Sequence, residues 1–178
     1  MDIVFDRMDG DLSNYVSPNN CIEDINLNPK DLKKIIIDTS TALENLYRIG
    51  IVCDDIKPEN FLYQQTENGL EIKAADYQLW ILFPEKFDES GANASKFYFS
   101  DHQSRNKYIE LLKGILDVRY DRTGSTDIIS KRFGQDMVNL FDEFIYGKGG
   151  KQKGKFGDMG FDELAQKACV IIDTKFGM

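Results

Sequence analysis

Residues 29–49 carry the strongest structural instruction in the chain. Leu32, Ile35, Ile36, Thr39, Leu43, Leu46 and Tyr47 recur at helical spacing, which lines them up on one side of a helix. Asn28 is a good N-cap, Pro29 suits a first helical position where no N–H is needed, and Asp31 puts negative charge in the first turn. Gly50 stands where a left-handed residue closes a helix. The pattern predicts a helix over 29–49 whose apolar face packs into a core.

The residues after that helix constrain the fold further. Ile51-Val52 leads into a polar stretch that ends at Asn60, and Phe61-Leu62-Tyr63-Gln64 then reads as a strand. Asn68-Gly69 is a strong hairpin signal, with Leu70 to Ala75 as the return strand. The expected order is therefore long helix, polar turn, small hairpin.

Elsewhere the signals are mostly helical. A short strand is expected at 2–6, a short helix from Leu12 to Val16 and a loop over 17–28. Residues 76–103 read as irregular, with Pro84 and Gly91 as breakers. Helices are expected at 104–118, 135–146 and roughly 160–173, with a polar stretch around 119–126 and a Gly/Lys loop over 147–157. No internal repeat is visible. The fold class is mainly α (α+β), in a single domain over 1–178 with one small β-hairpin.

Composition narrows the partners. Thirty acidic residues against 22 basic ones give a net charge of −8, which argues against nucleic acid or an anionic membrane as a partner. The apolar runs fall far short of the roughly 18 residues a spanning helix needs. The first residues lack the basic-then-apolar pattern of a secretory signal. Cys21, Cys53 and Cys169 are odd in number and widely spaced, so neither a zinc site nor a disulfide framework is implied, and the single His102 excludes a multi-His metal site. A cytoplasmic or nuclear location is expected.

One segment carries chemistry. In Cys53-Asp54-Asp55-Ile56-Lys57-Pro58-Glu59-Asn60 an aspartate is followed by a lysine two residues on and an asparagine five residues on, and Asp76 lies at the far end of the hairpin. Phosphoryl transfer needs such a set: a carboxylate to orient the attacking hydroxyl, a cation for the moving phosphoryl group, and oxygen ligands for Mg²⁺.

Asp55-Ile56-Lys57-Pro58-Glu59-Asn60 resembles the catalytic loop of eukaryotic-type protein kinases, His-Arg-Asp-x-Lys-Pro-x-Asn, in its Ser/Thr-kinase form. The continuation Asn60-Phe61-Leu62 is most similar to the casein-kinase-like branch. Asp76-Tyr77-Gln78 stands where the family has Asp-Phe-Gly. Val4 to Met8, with Asp9-Gly10-Asp11-Leu12, is similar to the hinge, and Asp136-Met137-Val138-Asn139-Leu140-Phe141 resembles the helix whose Asp anchors the catalytic-loop backbone. The resemblance implies a kinase-like C-lobe using Mg²⁺ and ATP on a protein substrate. Asp55 would orient the hydroxyl, Lys57 would neutralise the phosphate, Asn60 and Asp76 would hold Mg²⁺, and Met8 would face the adenine. Residues 76–103 would be the activation-segment-like region.

There are departures. Cys53, Asp54 and Gln78 stand where the family has His, Arg and Gly, and no Ala-Pro-Glu is found further along. The Gly-rich loop, strand lysine and partner glutamate of the N-lobe have no counterpart in these residues. The expectation is therefore a C-lobe without an N-lobe, active only if a longer precursor or a partner supplies one. The alternative is a truncated pseudokinase that acts as a protein–protein interaction module.

Other signals are weaker. Gly149 to Lys155 fits GxxxxGK, but Phe156 occupies the Ser/Thr position that would bind Mg²⁺, so a mobile loop or a basic docking patch for an acidic partner is the better reading. Cys53 reads as a buried filler and His102 as a surface residue. Trp80, Phe83, Phe97, Tyr98 and Phe99 read as packing.

Overall fold

A computed structural model of the chain describes residues 7–16, 27–53, 55–76, 80–82, 92–116, 126–147 and 159–178; of 80–82, 92–100 and 126–128 it describes the backbone alone. The elements are β1 (Gly10–Asp11), α1 (Leu12–Val16), α2 (Pro29–Arg48), β2 (Ile51–Cys53), a 3₁₀ turn (Pro58–Asn60), β3 (Phe61–Thr66), β4 (Gly69–Ala74), β5 (Trp80–Leu82), α3 (Ala92–Leu116), α4 (Thr126–Phe133), α5 (Gln135–Tyr146) and α6 (Phe161–Phe176). The fold is mainly α with a small β component. None of the described helices is long and apolar enough to cross a membrane. Of the hinge-like strand expected over 1–9, residues 1–6 lie outside the described residues, and residues 7–9 are not in a strand.

The helix α2 forms as its signals require. The Asn28 side chain accepts from Asp31 N at 2.9 Å, Pro29 occupies the first turn, and Gly50 comes after the cap residue Ile49 at φ 81°. Its buried face, Leu32, Ile35, Ile36 and Leu43, packs chiefly on α6 and β4. At the start of α6 the buried Glu44 of α2 accepts from Phe161 N at 2.9 Å, which satisfies one of the N–H groups that a helix end leaves open. Tyr108, Phe144 and Phe161 fill the centre, with ring centroids 5.1 to 6.5 Å apart.

Two sheets frame the polar turn. One has the order β1-β3-β4, the other pairs β2 with β5, and all pairings are antiparallel. The hairpin turn lies one residue earlier than Asn68-Gly69 would place it. Thr66 pairs with Gly69, so Glu67 and Asn68 form the turn, and the glycine takes φ 112° just beyond it. Neither turn residue has positive φ, so only Gly69 needs the freedom that glycine supplies.

Two expectations need correction, and one helix was not expected. Residues 92–103 are helical, not irregular, and belong to α3. No Gly or Pro interrupts the chain between Gly91 and Gly114, but Phe97-Tyr98-Phe99 and the buried polar residues Asp101, Ser104 and Arg105 blur the apolar spacing. Helix α4 occupies a stretch with no helix signal of its own, because a segment of eight residues with few apolar positions gives little periodicity. Asp136 is not placed to anchor the catalytic-like loop: it is exposed in the first turn of α5, and the helices that pack on β2 are α2 and α3.

Candidate functional site

Two segments cross from one sheet to the other at the same place. Residues 54–60 run from β2 to β3, and residues 75–79 run from β4 to β5. Because Cys53 pairs with Trp80 and Phe61 pairs with Ala74, both ends of each crossing are held side by side. Ala75 N donates to Asn60 O at 2.8 Å, which ties the two segments together where they meet the hairpin.

Local chemistry shapes the first crossing. Cys53 and Ile56 are buried and pin it to the core. Lys57 is extended (φ −151°, ψ 158°), as a residue before proline prefers, and Pro58 opens the 3₁₀ turn. Asn60 N closes that turn on Lys57 O at 3.1 Å.

The turn brings three of the expected site residues into contact. Lys57 Nζ lies 2.6 Å from Asp55 Oδ2. Asn60 Nδ2 donates to the same oxygen at 3.1 Å and to the Asp55 carbonyl at 2.7 Å. The hydrogen bond from Lys57 is the main reason the Asp55 carboxyl is held below its ordinary value, with Asn60 adding to the effect. Lys57 is raised in turn, first by its bond to Asp55, with smaller contributions from the charges of Asp55, Glu59 and Asp76.

Asn60 is 6 % exposed. Its amide N–H₂, backbone N–H and carbonyl are all engaged, but its Oδ1 has no partner among the described residues. A buried polar oxygen without a partner calls for an explanation, and an ion or water is the usual one. Asp76 is exposed and takes φ 55°, the one positive value among the described non-glycine residues. Asp tolerates this left-handed region, and such outliers gather at functional sites. Its carboxylate makes no hydrogen bond to the described residues, and its charge reaches Lys57.

Met8 and Asp76 share a groove of about 1350 Å³ between α2 and the hairpin, together with Leu62 and Ala75. Asp55, Lys57 and Asn60 do not line it. The structure thus forms one contact cluster, Asp55–Lys57–Asn60, and one groove pair, Met8 and Asp76, linked through Ala75 and Asn60. No group of three His, Cys, Asp or Glu residues gathers among those described. One amide oxygen and one carboxylate suit Mg²⁺, which dehydrates reluctantly and takes few protein ligands beside phosphate oxygens and water.

The remaining sequence candidates are quickly placed. Cys53 is buried in the core. His102 is half-buried rather than at the surface; it bonds Asn106 and packs on Tyr146. Asp54, Tyr77, Gln78, residues 148–157 of the Gly/Lys loop and the side chains of Trp80, Phe83, Phe97, Tyr98 and Phe99 lie outside the described residues. Two features escape sequence reasoning. The buried pair Asp101–Arg105 has the i, i+4 spacing of an ordinary surface pair, so nothing in the sequence marks it. Asp38, on the groove wall, looks like the polar face of α2.

A carboxylate, an ammonium group and a free amide oxygen on one turn, beside a second carboxylate, form the kind of grouping that phosphoryl transfer uses. The protein kinase domain model matches residues 1–101, more than half of the 178-residue chain, and the chain belongs to the protein kinase domain family. Similar proteins include the probable serine/threonine-protein kinase fhkB of Dictyostelium discoideum, 33% identical over 87 residues that cover 44% of this chain and 7% of that protein. Calcium-dependent protein kinase 31 of Arabidopsis thaliana is 27% identical over 79 residues, covering 44% of this chain and 16% of that protein. The chain spans less than a fifth of either relative's length.

Proposed function

We propose that this chain handles the phosphates in Mg²⁺- and ATP-dependent transfer to a serine or threonine hydroxyl of a protein, with the covering N-lobe elements supplied by a longer chain or a partner. The observation that carries this reading is the Asp55–Lys57–Asn60 contact cluster, tied to the Asp76 segment by the 2.8 Å bond from Ala75 N to Asn60 O. Asn60 Oδ1 and the Asp76 carboxylate would hold Mg²⁺, which offsets phosphate charge when bound. Met8 and Leu62 would seat the adenine.

Asp55 stays ionised at neutral pH and is pinned on one oxygen, so its work is to orient the substrate hydroxyl. The hydroxyl oxygen forms the new bond to the γ-phosphorus as the β–γ bridging bond breaks and ADP leaves. The hydroxyl proton passes to the Asp55 carboxylate and on to solvent. Lys57, already bonded to Asp55, would also offset the charge of the moving phosphoryl group.

The test is a thermal-shift titration with millimolar Mg²⁺–ATP. Binding raises the melting temperature by mass action, and a concentration one hundred times Kd adds about 2.7 kcal/mol. The Asp76→Asn variant should lose the Mg²⁺-dependent part of the shift. If wild type shows no shift, or Asp76→Asn shifts as wild type does, the phosphate-handling role is wrong and the interaction-module reading takes its place.

A further inference from the structure

β4 is the outer strand of the β1-β3-β4 sheet, and among the described residues no strand pairs with its other edge. The N–H of Ile72 is taken instead by α2: it donates to Asp38 Oδ2 at 3.0 Å. The other oxygen of Asp38 receives Lys34 Nζ at 2.8 Å from one turn back. The carboxylate is thereby fixed on both sides, with its side chain only 15% exposed.

The consequence lies four residues further on. β4 ends at Ala74, Asn60 O grips Ala75 N, and Asp76 comes next in its left-handed conformation. A non-glycine residue keeps that conformation only where its surroundings hold it there. Two ties do so here, Asn60 on the inner edge of the strand and Asp38 on the outer. Asp38 and Asp76 also line the same groove.

We infer that Asp38 is a positioning residue for Asp76: by clamping β4 to α2 it sets where the Asp76 carboxylate meets the metal. This rests on the proposed Mg²⁺–ATP reading. In this role Asp38 acts through the strand and is not itself a ligand of the metal.

The experiment measures two affinities of the full chain, for ATP with Mn²⁺ (by water-proton relaxation) and for ATP in chelator (by displacement of a fluorescent adenine nucleotide). Asp38→Ala should weaken the metal-dependent affinity by about tenfold, as loss of a group supporting a metal ligand does, and leave the metal-free affinity within about twofold. Asp38→Asn keeps an acceptor oxygen for Ile72 N and should restore most of the loss. Asp38→Leu fills the space without accepting and decides the matter if Asp38→Ala fails to fold. Equal losses in both arms, or none in either arm, would overturn the role of Asp38 alone. Absence of metal-dependent binding in wild type would overturn the proposed function, and this role with it.

Discussion

Arg105→Met tests the packing logic of the fold. Arg105 is 4 % exposed and Asp101 2 %. Its Nε lies 3.1 and 3.0 Å from the Asp101 carboxylate oxygens, and its Nη1 donates to the carbonyls of Met159 at 2.7 Å and Phe144 at 3.3 Å. The guanidinium also sits 4.7 Å from the centroid of the Phe144 ring. Methionine keeps the length and apolar contact but takes the guanidinium away from a buried carboxylate and leaves two carbonyls short of a donor. Removing one partner of a buried pair costs roughly 3–5 kcal/mol. For a chain of this length that lowers the melting temperature by roughly 6–20 °C. Calorimetry and urea unfolding measure both. Adding Asp101→Leu removes the buried charge that has lost its guanidinium and should recover part of the loss. A single-variant cost under about 1 kcal/mol would refute the reasoning, since it lies below even the usual desolvation penalty of a stranded buried group.

The same geometry sets three further outcomes. Lys57→Met should raise the Asp55 carboxyl back toward its ordinary 3.8, read by ¹³C NMR titration, because the Lys57 bond is the main cause of its depression. Gly69→Ala should cost about 1–2 kcal/mol by denaturant unfolding, all of it backbone strain, since φ is 112° and nothing stands within 4 Å of the added Cβ. Burial pushes Tyr47 up to about 12, with the Asp101 charge adding to it, and burial raises Tyr108 as well. The folded state therefore holds protons that an unfolded tyrosine sheds near pH 10, so stability is full below pH 10 and falls as pH rises through about 12; ultraviolet titration alongside circular dichroism measures it.

The legible parts of the sequence are those where local and global preferences agree. α2 announces itself because Asn28, Pro29, Asp31 and Gly50 punctuate an apolar stripe, and α5 because Met137, Leu140, Phe141, Phe144 and Ile145 are all buried as their spacing requires. The grouping of Asp55, Lys57 and Asn60 is legible because a single short turn holds them. The nearness of the Asp76 segment to that turn depends on the pairings of β3 with β4 and of β2 with β5. Illegible are features whose meaning comes from burial. Asp101 and Arg105 look like a solvated pair until α3 is packed, and Asp38 looks like surface until β4 presents its Ile72 N–H. The start of α3 is hidden because its polar core positions break the apolar pattern on which a helix reading depends.

A crystal structure of the chain with Mg²⁺ and a non-hydrolysable ATP analogue tests the proposed phosphate site most directly. Mg²⁺ should lie about 2.1 Å from both Asn60 Oδ1 and an Asp76 oxygen, with Lys57 Nζ turned to the terminal phosphate. Nucleotide bound elsewhere, or a metal that leaves Asn60 Oδ1 unligated, would contradict it.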